Sequence, residues 1–153
     1  MHCIRHTWHL GAAQNFNGEL MDSILIHPDS LRAVWPDVRA GLETMPKDDW
    51  IVEDVYHAIK SGAAALYIGQ NDSGFCGFLV LQKLLGEFSR DPILHCWLAY
   101  NHGEGEIYDK ALEFLKSQAR QMGAKRLTFG SPRPGWGKRY ACTTATYEIP
   151  LEG

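Results

Sequence analysis

Residues 93–122 constrain the fold of this chain more than any other stretch, because they predict a buried strand, a glycine loop and an amphipathic helix in succession. The strand, residues 93–100, is apolar and rich in aromatic and branched side chains. Gly103 and Gly105 follow it, and glycines let a backbone approach a ligand closely. From Ile107 the apolar residues recur with the period of a helix. This arrangement predicts an anion site, since free N–H groups and the positive end of the helix dipole would face a bound phosphate.

The composition indicates one compact domain. At 153 residues the chain can bury one good core but not two. Its net charge of -3 argues against a general nucleic-acid binder, which needs a basic surplus. No apolar run approaches the roughly 20 residues of a membrane helix, so we expect no membrane partner. The four cysteines are scattered and form no C-x-x-C pair, which favours a reducing, cytoplasmic setting.

The N-terminal third predicts an extension, a strand and a helix. Residues 1–19 show no sustained period, so we interpret them as an N-terminal extension of a single domain formed by residues 20–153. Residues 20–26 predict a first strand. Residues 31–42 predict a helix, which Pro36 should kink or split because it lacks the backbone N–H and its ring is bulky.

The middle of the chain predicts a second helix and a hairpin. The helix restarts at residues 46–49 and ends at Gly62, a residue type that often terminates helices. Two apolar strands follow, residues 63–70 and 75–85, joined by the turn sequence Asn-Asp-Ser-Gly at residues 71–74. The apolar residues expected on the inward face of the helix are Trp50, Ile51, Val55 and Ile59.

The C-terminal part completes a mixed sheet. Residues 126–130 predict a short strand after the helix, and a helical crossover should place it parallel to strand 93–100. Residues 131–142 are rich in proline and glycine, and residues 143–151 predict a last strand. The predicted fold class is α/β, a mixed sheet flanked by helices in the order β-α-α-β-β-β-α-β-β.

This order, with a glycine loop between the fourth strand and the third helix, resembles the GNAT superfamily of N-acetyltransferases over residues 20–151. Three segments, residues 93–100, 123–126 and 131–136, are more narrowly similar to small GNAT-like proteins encoded by tailed bacteriophages. The resemblance implies that the parallel strand pair splays apart, leaving a V-shaped opening between Tyr100 and Gly130. The pantetheine arm of acetyl-CoA would occupy this opening.

The resemblance also assigns the cofactor-binding residues. The phosphate loop of the superfamily reads Gln/Arg-x-x-Gly-x-Gly/Ala, and its backbone amides hold the pyrophosphate of acetyl-CoA. Here Tyr100 replaces the leading Gln or Arg, while both glycines match. Glu104 places a carboxylate beside the expected anion, which opposes pyrophosphate binding. The residues implied are Tyr100, Asn101, His102, Gly103, Glu104, Gly105, Glu106 and Ile107.

Two residues are the candidates for catalysis by this resemblance. Acetyl transfer needs a deprotonated amine and a protonated leaving thiolate. Tyr140 is the closest match to the tyrosine that often supplies the acid, and His95 is the best-placed titratable group for a base. Each also has a structural interpretation. His95 can be a hydrogen-bonded core histidine, and Tyr140 can be an aromatic side chain that packs before the last strand.

A metal site is not expected. His2, His6 and His9 have helical spacing with Cys3 beside them, which makes a metal site conceivable. However, no carboxylate lies nearby in the sequence to support such ligands.

Two classes of function remain open. The first is an acetyl-CoA-dependent N-acetyltransferase that acts on a small amine or a protein amino group, and the Gly103-x-Gly105 loop favours it. The second is an inactive GNAT-fold phage protein that acts as a structural or interaction module on a host or virion protein. Glu104 and the proline-rich segment 132–137 favour the second. A phage protein of either class would act in the host cytoplasm or associate with the virion.

Overall fold

The fold is a single mixed sheet with helices on both faces. A computed structural model describes residues 15–16, 21–47, 49–72, 74–101, 107–130, 138 and 149–151. Three α-helices and a short 3-10 helix, Pro28–Ser30, accompany the strands. The strands are β1 (Asn15–Phe16), β2 (Met21–Ile26), β3 (Ala65–Asn71), β4 (Gly74–Leu85), β5 (Pro92–Asn101) and β6 (Arg126–Phe129). The α-helices are α1 (Leu31–Thr44), α2 (Val52–Ser61) and α3 (Ile107–Gln121).

The sheet follows chain order from β1 to β6, and neighbouring strands are antiparallel except for the last pair. Strands β5 and β6 are parallel, with Ile93 opposite Arg126 and Cys96 opposite Phe129. Helix α3 provides the crossover that such a parallel connection requires. The predicted α/β class and the predicted parallel neighbours are therefore confirmed.

The two faces of the sheet carry separate clusters of buried side chains. On one face, α3 contributes Leu112, Phe114, Leu115 and Ala119, which pack over strand residues such as Leu94. On the other, α1 and α2 cover apolar residues of the central strands; the helical members are Leu31, Val38, Leu42, Val52, Val55 and Ile59. None of the helices in the described ranges is long and apolar enough to cross a membrane.

The first two helices differ in part from the sequence prediction. Helix α1 runs through Pro36 without being split, and Pro36 is exposed, so its ring meets solvent rather than the core. Helix α2 begins at Val52, later than the predicted 46–49, because Asp54 accepts a hydrogen bond from the backbone N–H of Ile51 and closes the first turn there. Ile51 precedes the helix and is 56% exposed, so its expected inward position was wrong.

The hairpin and the helix ends agree with the prediction. Strands β3 and β4 are antiparallel neighbours with Asn71 opposite Gly74, which confirms the predicted hairpin. Gly62 and Gly123 follow α2 and α3 with φ values of 86° and 76°, the left-handed conformation that glycine adopts at helix C-termini.

Some sequence predictions fall wholly or partly outside the described ranges. Most of the last predicted strand, residues 143–151, is outside them, and its described end at 149–151 is not a strand. Strand β1 was not predicted, and it adds two residues to the edge of the sheet beside β2.

Candidate functional site

The site lies where strand β5 continues beyond its parallel neighbour. The described ladder between β5 and β6 ends at Cys96 and Phe129, whereas β5 runs on to Asn101 alongside β4. Residues 97–101 therefore have a strand partner on one side only within the described part of the sheet. The V-shaped opening expected between Tyr100 and Gly130 would lie at this end of the strand pair.

A β-bulge at Trp97 marks the start of this opening. Val80 of β4 lies opposite Leu98 and Leu81 lies opposite Cys96, so Trp97 is an extra residue with no partner on β4. The bulge interrupts the alternation of side chains between the two faces of the sheet. Cys96 belongs to the cluster beneath α3, whereas Trp97 and Leu98 both belong to the cluster beneath α1 and α2. A bulge of this kind redirects side chains and increases local twist, which suits a point where two strands diverge.

The thiol of Cys96 lies inside this bulge. Its Sγ is 3.6 Å from the carbonyl oxygen of Leu98, to which the thiol donates a hydrogen bond. Burial raises the pKa of this thiol to about 12, because the low-polarity surroundings disfavour the thiolate. Cys96 is therefore a neutral part of the core rather than a nucleophile.

Because of the bulge, Tyr100 lies on the same face of the sheet as Leu98 and packs in the cluster beneath α1 and α2. Its ring stacks on Phe78, with centroids 5.4 Å apart, and on Phe75 at 6.4 Å. Gly41 of α1 makes room for this cluster, since a Cβ there would come within 2.9 Å of the rings of Phe78 and Tyr100. On the neighbouring strand a Cβ at Gly77 would collide with the carbonyl oxygen of Tyr100. Both glycines are therefore needed to fix the strand end that leads into the loop.

His95 lies just before the opening, on the face covered by α1 and α2. Its register partner on β6 is Thr128, and its Nδ1 is 2.8 Å from the Thr128 hydroxyl oxygen. The ring is half-buried, and this burial lowers the pKa of His95 because desolvation disfavours the charged form. A neutral imidazole is the form that can accept a proton.

The structure describes only some of the candidate site residues. Tyr100 and Asn101 end β5, and both are half-buried; Ile107 begins α3. Residues 102–106, which include both loop glycines and Glu104, lie outside the described ranges, as does Tyr140. His95 and Tyr100 thus lie on the same strand at the opening, and the phosphate loop remains a prediction from sequence.

The end of β5 is a strand edge, and a strand edge can pair with an extended arm that carries amide groups. Within the described sheet, residues 98–101 pair with β4 on one side, and Ala99 is small and exposed. An arm such as pantetheine carries amides that can pair with a strand edge. Within the described residues, His, Cys, Asp and Glu side chains form no cluster that could hold a metal ion. The histidines at positions 2, 6 and 9 are outside those residues.

Sequence reasoning missed Thr128, Gly41, Gly77 and the bulge at Trp97. A signal for Thr128 existed, because aligning the first residues of the two predicted parallel strands, Ile93 and Arg126, places His95 opposite Thr128. The two glycines lie in a helix and a strand where no turn is required, and their role depends on contacts between distant elements. The bulge depends on strand register, which the residue pattern of one strand does not define.

Comparison with known proteins gives structural neighbours only. No protein-family model matches the chain, and no curated protein matches its sequence. A ribosomal-protein-alanine N-acetyltransferase from Brucella melitensis superposes with a TM-score of 0.64 at 19% identity, covering 86% of this chain and 99% of that one. A GNAT family acetyltransferase from Staphylococcus aureus gives 0.62 at 12% identity, covering 86% and 99%.

A third structure extends the range of relatives. An aminoglycoside acetyltransferase from an uncultured soil metagenomic sample gives a TM-score of 0.60 at 10% identity, covering 88% of this chain and 95% of that one. Identities this low carry information about the fold rather than about the activity. The chain therefore has the fold of the GNAT acetyltransferases.

Proposed function

We propose that this protein is an acetyl-CoA-dependent N-acetyltransferase. The observation that carries the proposal is the opening at the end of β5, where the parallel ladder stops at Cys96–Phe129 and the strand then leads towards helix α3. The N-terminus of α3 can bind an anion through its free N–H groups and its dipole. Amides of residues 103–107 would hold the pyrophosphate, and the arm of acetyl-CoA would lie along residues 97–101.

The residues of the opening support a role in proton transfer. His95 would remove a proton from the attacking amine, since its ring is half-buried and its pKa is lowered, which keeps it neutral at pH 7. Tyr140 would protonate the leaving thiolate of CoA. Asn101 and His102 would complete the strand end and the loop beside the cofactor.

The charge around the opening favours an amine as acceptor. Because Gly41 contacts Tyr100, the C-terminal end of α1 and the start of α2 lie at the open end of the sheet. Residues 37–54 in this region contain six carboxylates and two basic side chains. This negative surplus would attract a protonated small amine or a protein amino group and repel an acidic acceptor. Two of the structural neighbours take acceptors of this kind: one is a ribosomal-protein-alanine N-acetyltransferase and the other an aminoglycoside acetyltransferase.

A transfer assay tests this function. The full chain would be incubated with acetyl-CoA and with two acceptor panels, one of polyamines and aminoglycosides and one of peptides with free amino groups. We expect CoA release that depends on one acceptor class, together with a mass increase of one acetyl group on that acceptor. His95→Gln should lower the rate. Tyr140→Phe should lower it as well. Glu87→Gln, which changes an exposed side chain in the connection between β4 and β5, should not.

A second candidate function is an interaction module on the same scaffold, for example a phage protein that contacts a host or virion protein. The connection between β4 and β5 favours it, because Phe88 is 91% exposed and Leu84 and Leu85 are also exposed. Exposed apolar side chains that lie together often mark a protein contact. A chain that neither binds acetyl-CoA nor transfers acetyl groups would support this candidate.

A further inference from the structure

The two ring nitrogens of His95 have different surroundings. Nδ1 lies 2.8 Å from the hydroxyl oxygen of Thr128, within hydrogen-bond distance. For Nε2 the described part of the chain shows no hydrogen-bond partner, and this atom is not among the fully buried polar atoms. One nitrogen is therefore engaged by the neighbouring strand, while the other is accessible.

The position of the Thr128 hydroxyl is set by the sheet. Thr128 lies directly opposite His95 in the parallel ladder, one residue before that ladder ends. Threonine is branched at Cβ and has few χ1 rotamers, so its hydroxyl has little freedom in a strand. A hydroxyl can donate to an imidazole nitrogen or accept from it, and where it accepts, that nitrogen carries the proton.

We propose that Thr128 is a positioning residue, which accepts a hydrogen bond from Nδ1–H of His95 and thereby leaves Nε2 unprotonated and directed to the acceptor amine. This inference rests on the proposed acetyltransferase function. In the step it serves, the amine nitrogen forms a bond to the acetyl carbonyl carbon, and the C–S bond to CoA breaks. The proton lost by the amine goes to Nε2, and the CoA thiolate takes a proton from Tyr140.

The tautomer of His95 tests the inference without any activity measurement. The full chain labelled with ¹⁵N would be studied by long-range ¹H–¹⁵N correlation NMR, and His95→Gln would assign the signals. We expect the Nδ1–H tautomer in the wild type and in Thr128→Ser, which keeps the hydroxyl. Thr128→Val has nearly the same shape without the hydroxyl, so it should show a larger share of the Nε2–H tautomer. A wild-type His95 with its proton on Nε2 would overturn the proposal.

Kinetics of the same three proteins separate positioning from folding. We expect Thr128→Val to lower kcat by about 10-fold or more with little change in the KM for acetyl-CoA, and Thr128→Ser to recover most of the loss. Thermal unfolding of each variant would show that it is folded. An active wild type whose kcat is unchanged by Thr128→Val overturns this inference alone. A folded wild type that binds no acetyl-CoA overturns the proposed function, and the positioning role with it.

Discussion

At the scale of single residues, two glycines and one thiol explain where the C-terminal end of β5 lies. Gly77 and Gly41 leave space for the backbone and ring of Tyr100, and Cys96 fills the bulge next to Leu98. None of these residues needs to contact a ligand. They determine where the strand end lies and hence where the following loop begins.

Gly77→Ala should destabilise the protein by about 1–3 kcal/mol or more, because the added Cβ would collide with the carbonyl oxygen of Tyr100 and neither strand can move freely. Gly130→Ala is the matched control, since no atom of the described residues lies within 4 Å of a Cβ at that position. Urea denaturation of both variants measures the effect. Equal stabilities for the two variants would contradict the close approach of β4 and β5.

Alkaline pH should destabilise the protein through Cys96. Its pKa rises on folding from 9.0 to about 12, so between these values the folded state keeps a proton that the unfolded state has lost. The thiol's contribution to the free energy of unfolding is therefore at its full value below about pH 9. As pH rises from 9 towards 12 it falls by roughly 1.4 kcal/mol per pH unit. Urea titrations at pH 8, 9 and 10 should show a steeper loss for wild type than for Cys96→Ala. Parallel losses would show that this thiol is not desolvated.

At the scale of elements, the sequence predicted most strands and helices correctly but not how they adjust to one another. The spacing of apolar residues and the turn residues predicted the hairpin at Asn71–Gly74 and the parallel crossover through α3, because these signals are local. The start of α2 was missed because a single side chain, Asp54, sets it. The bulge at Trp97 and the Thr128 contact arise from register between strands, which local patterns do not carry.

One buried polar contact joins α3 to the sheet. The hydroxyl of Tyr67 on β3 donates to Oε1 of Gln118 on α3 at 3.2 Å, and both residues are almost fully buried. The other amide atom of Gln118, Nε2, is buried without a partner. A buried polar group without a partner costs about 1–3 kcal/mol, so the unpaired Nε2 offsets the stabilisation that the hydrogen bond contributes.

Double-mutant analysis tests that contact. Tyr67→Phe alone should destabilise by about 1–2 kcal/mol, since it leaves the Gln118 amide with no partner. Gln118→Leu removes the unpaired Nε2 as well, so the double variant should lose less stability than the sum of the single losses, by about 1 kcal/mol. Strictly additive losses in urea denaturation would indicate that the two side chains do not interact.

At the scale of the whole molecule, the candidate site lies at one end of the sheet. The α1–α2 region, the end of β5 and the start of α3 meet there, while the exposed Phe88 lies in the connection before β5 begins. Asn15 and Phe16 lie at the opposite edge of the sheet from β6, because in the described sheet β1 pairs with β2 alone. The distribution separates a candidate reaction site from a candidate contact surface.

Removal of residues 1–20, so that the chain begins at Met21, should leave the fold nearly unchanged. The described part of that segment contributes only the two-residue strand Asn15–Phe16 at the edge of the sheet. Its loss should lower Tm by no more than a few degrees. A large fall in Tm, measured by circular dichroism at equal concentrations, would show that the segment is an integral part of the domain.

Binding of acetyl-CoA to the full chain tests the central claim most directly. A ligand at 100 times its dissociation constant stabilises a folded protein by about 2.7 kcal/mol, so a clear rise in Tm is expected. Glu104→Gln should tighten binding by about 0.3–1 kcal/mol, because it removes a negative charge beside the pyrophosphate. Gly103→Val should abolish binding, since a branched side chain blocks close approach of the backbone. An unchanged Tm for both wild type and Glu104→Gln at millimolar acetyl-CoA would contradict the account.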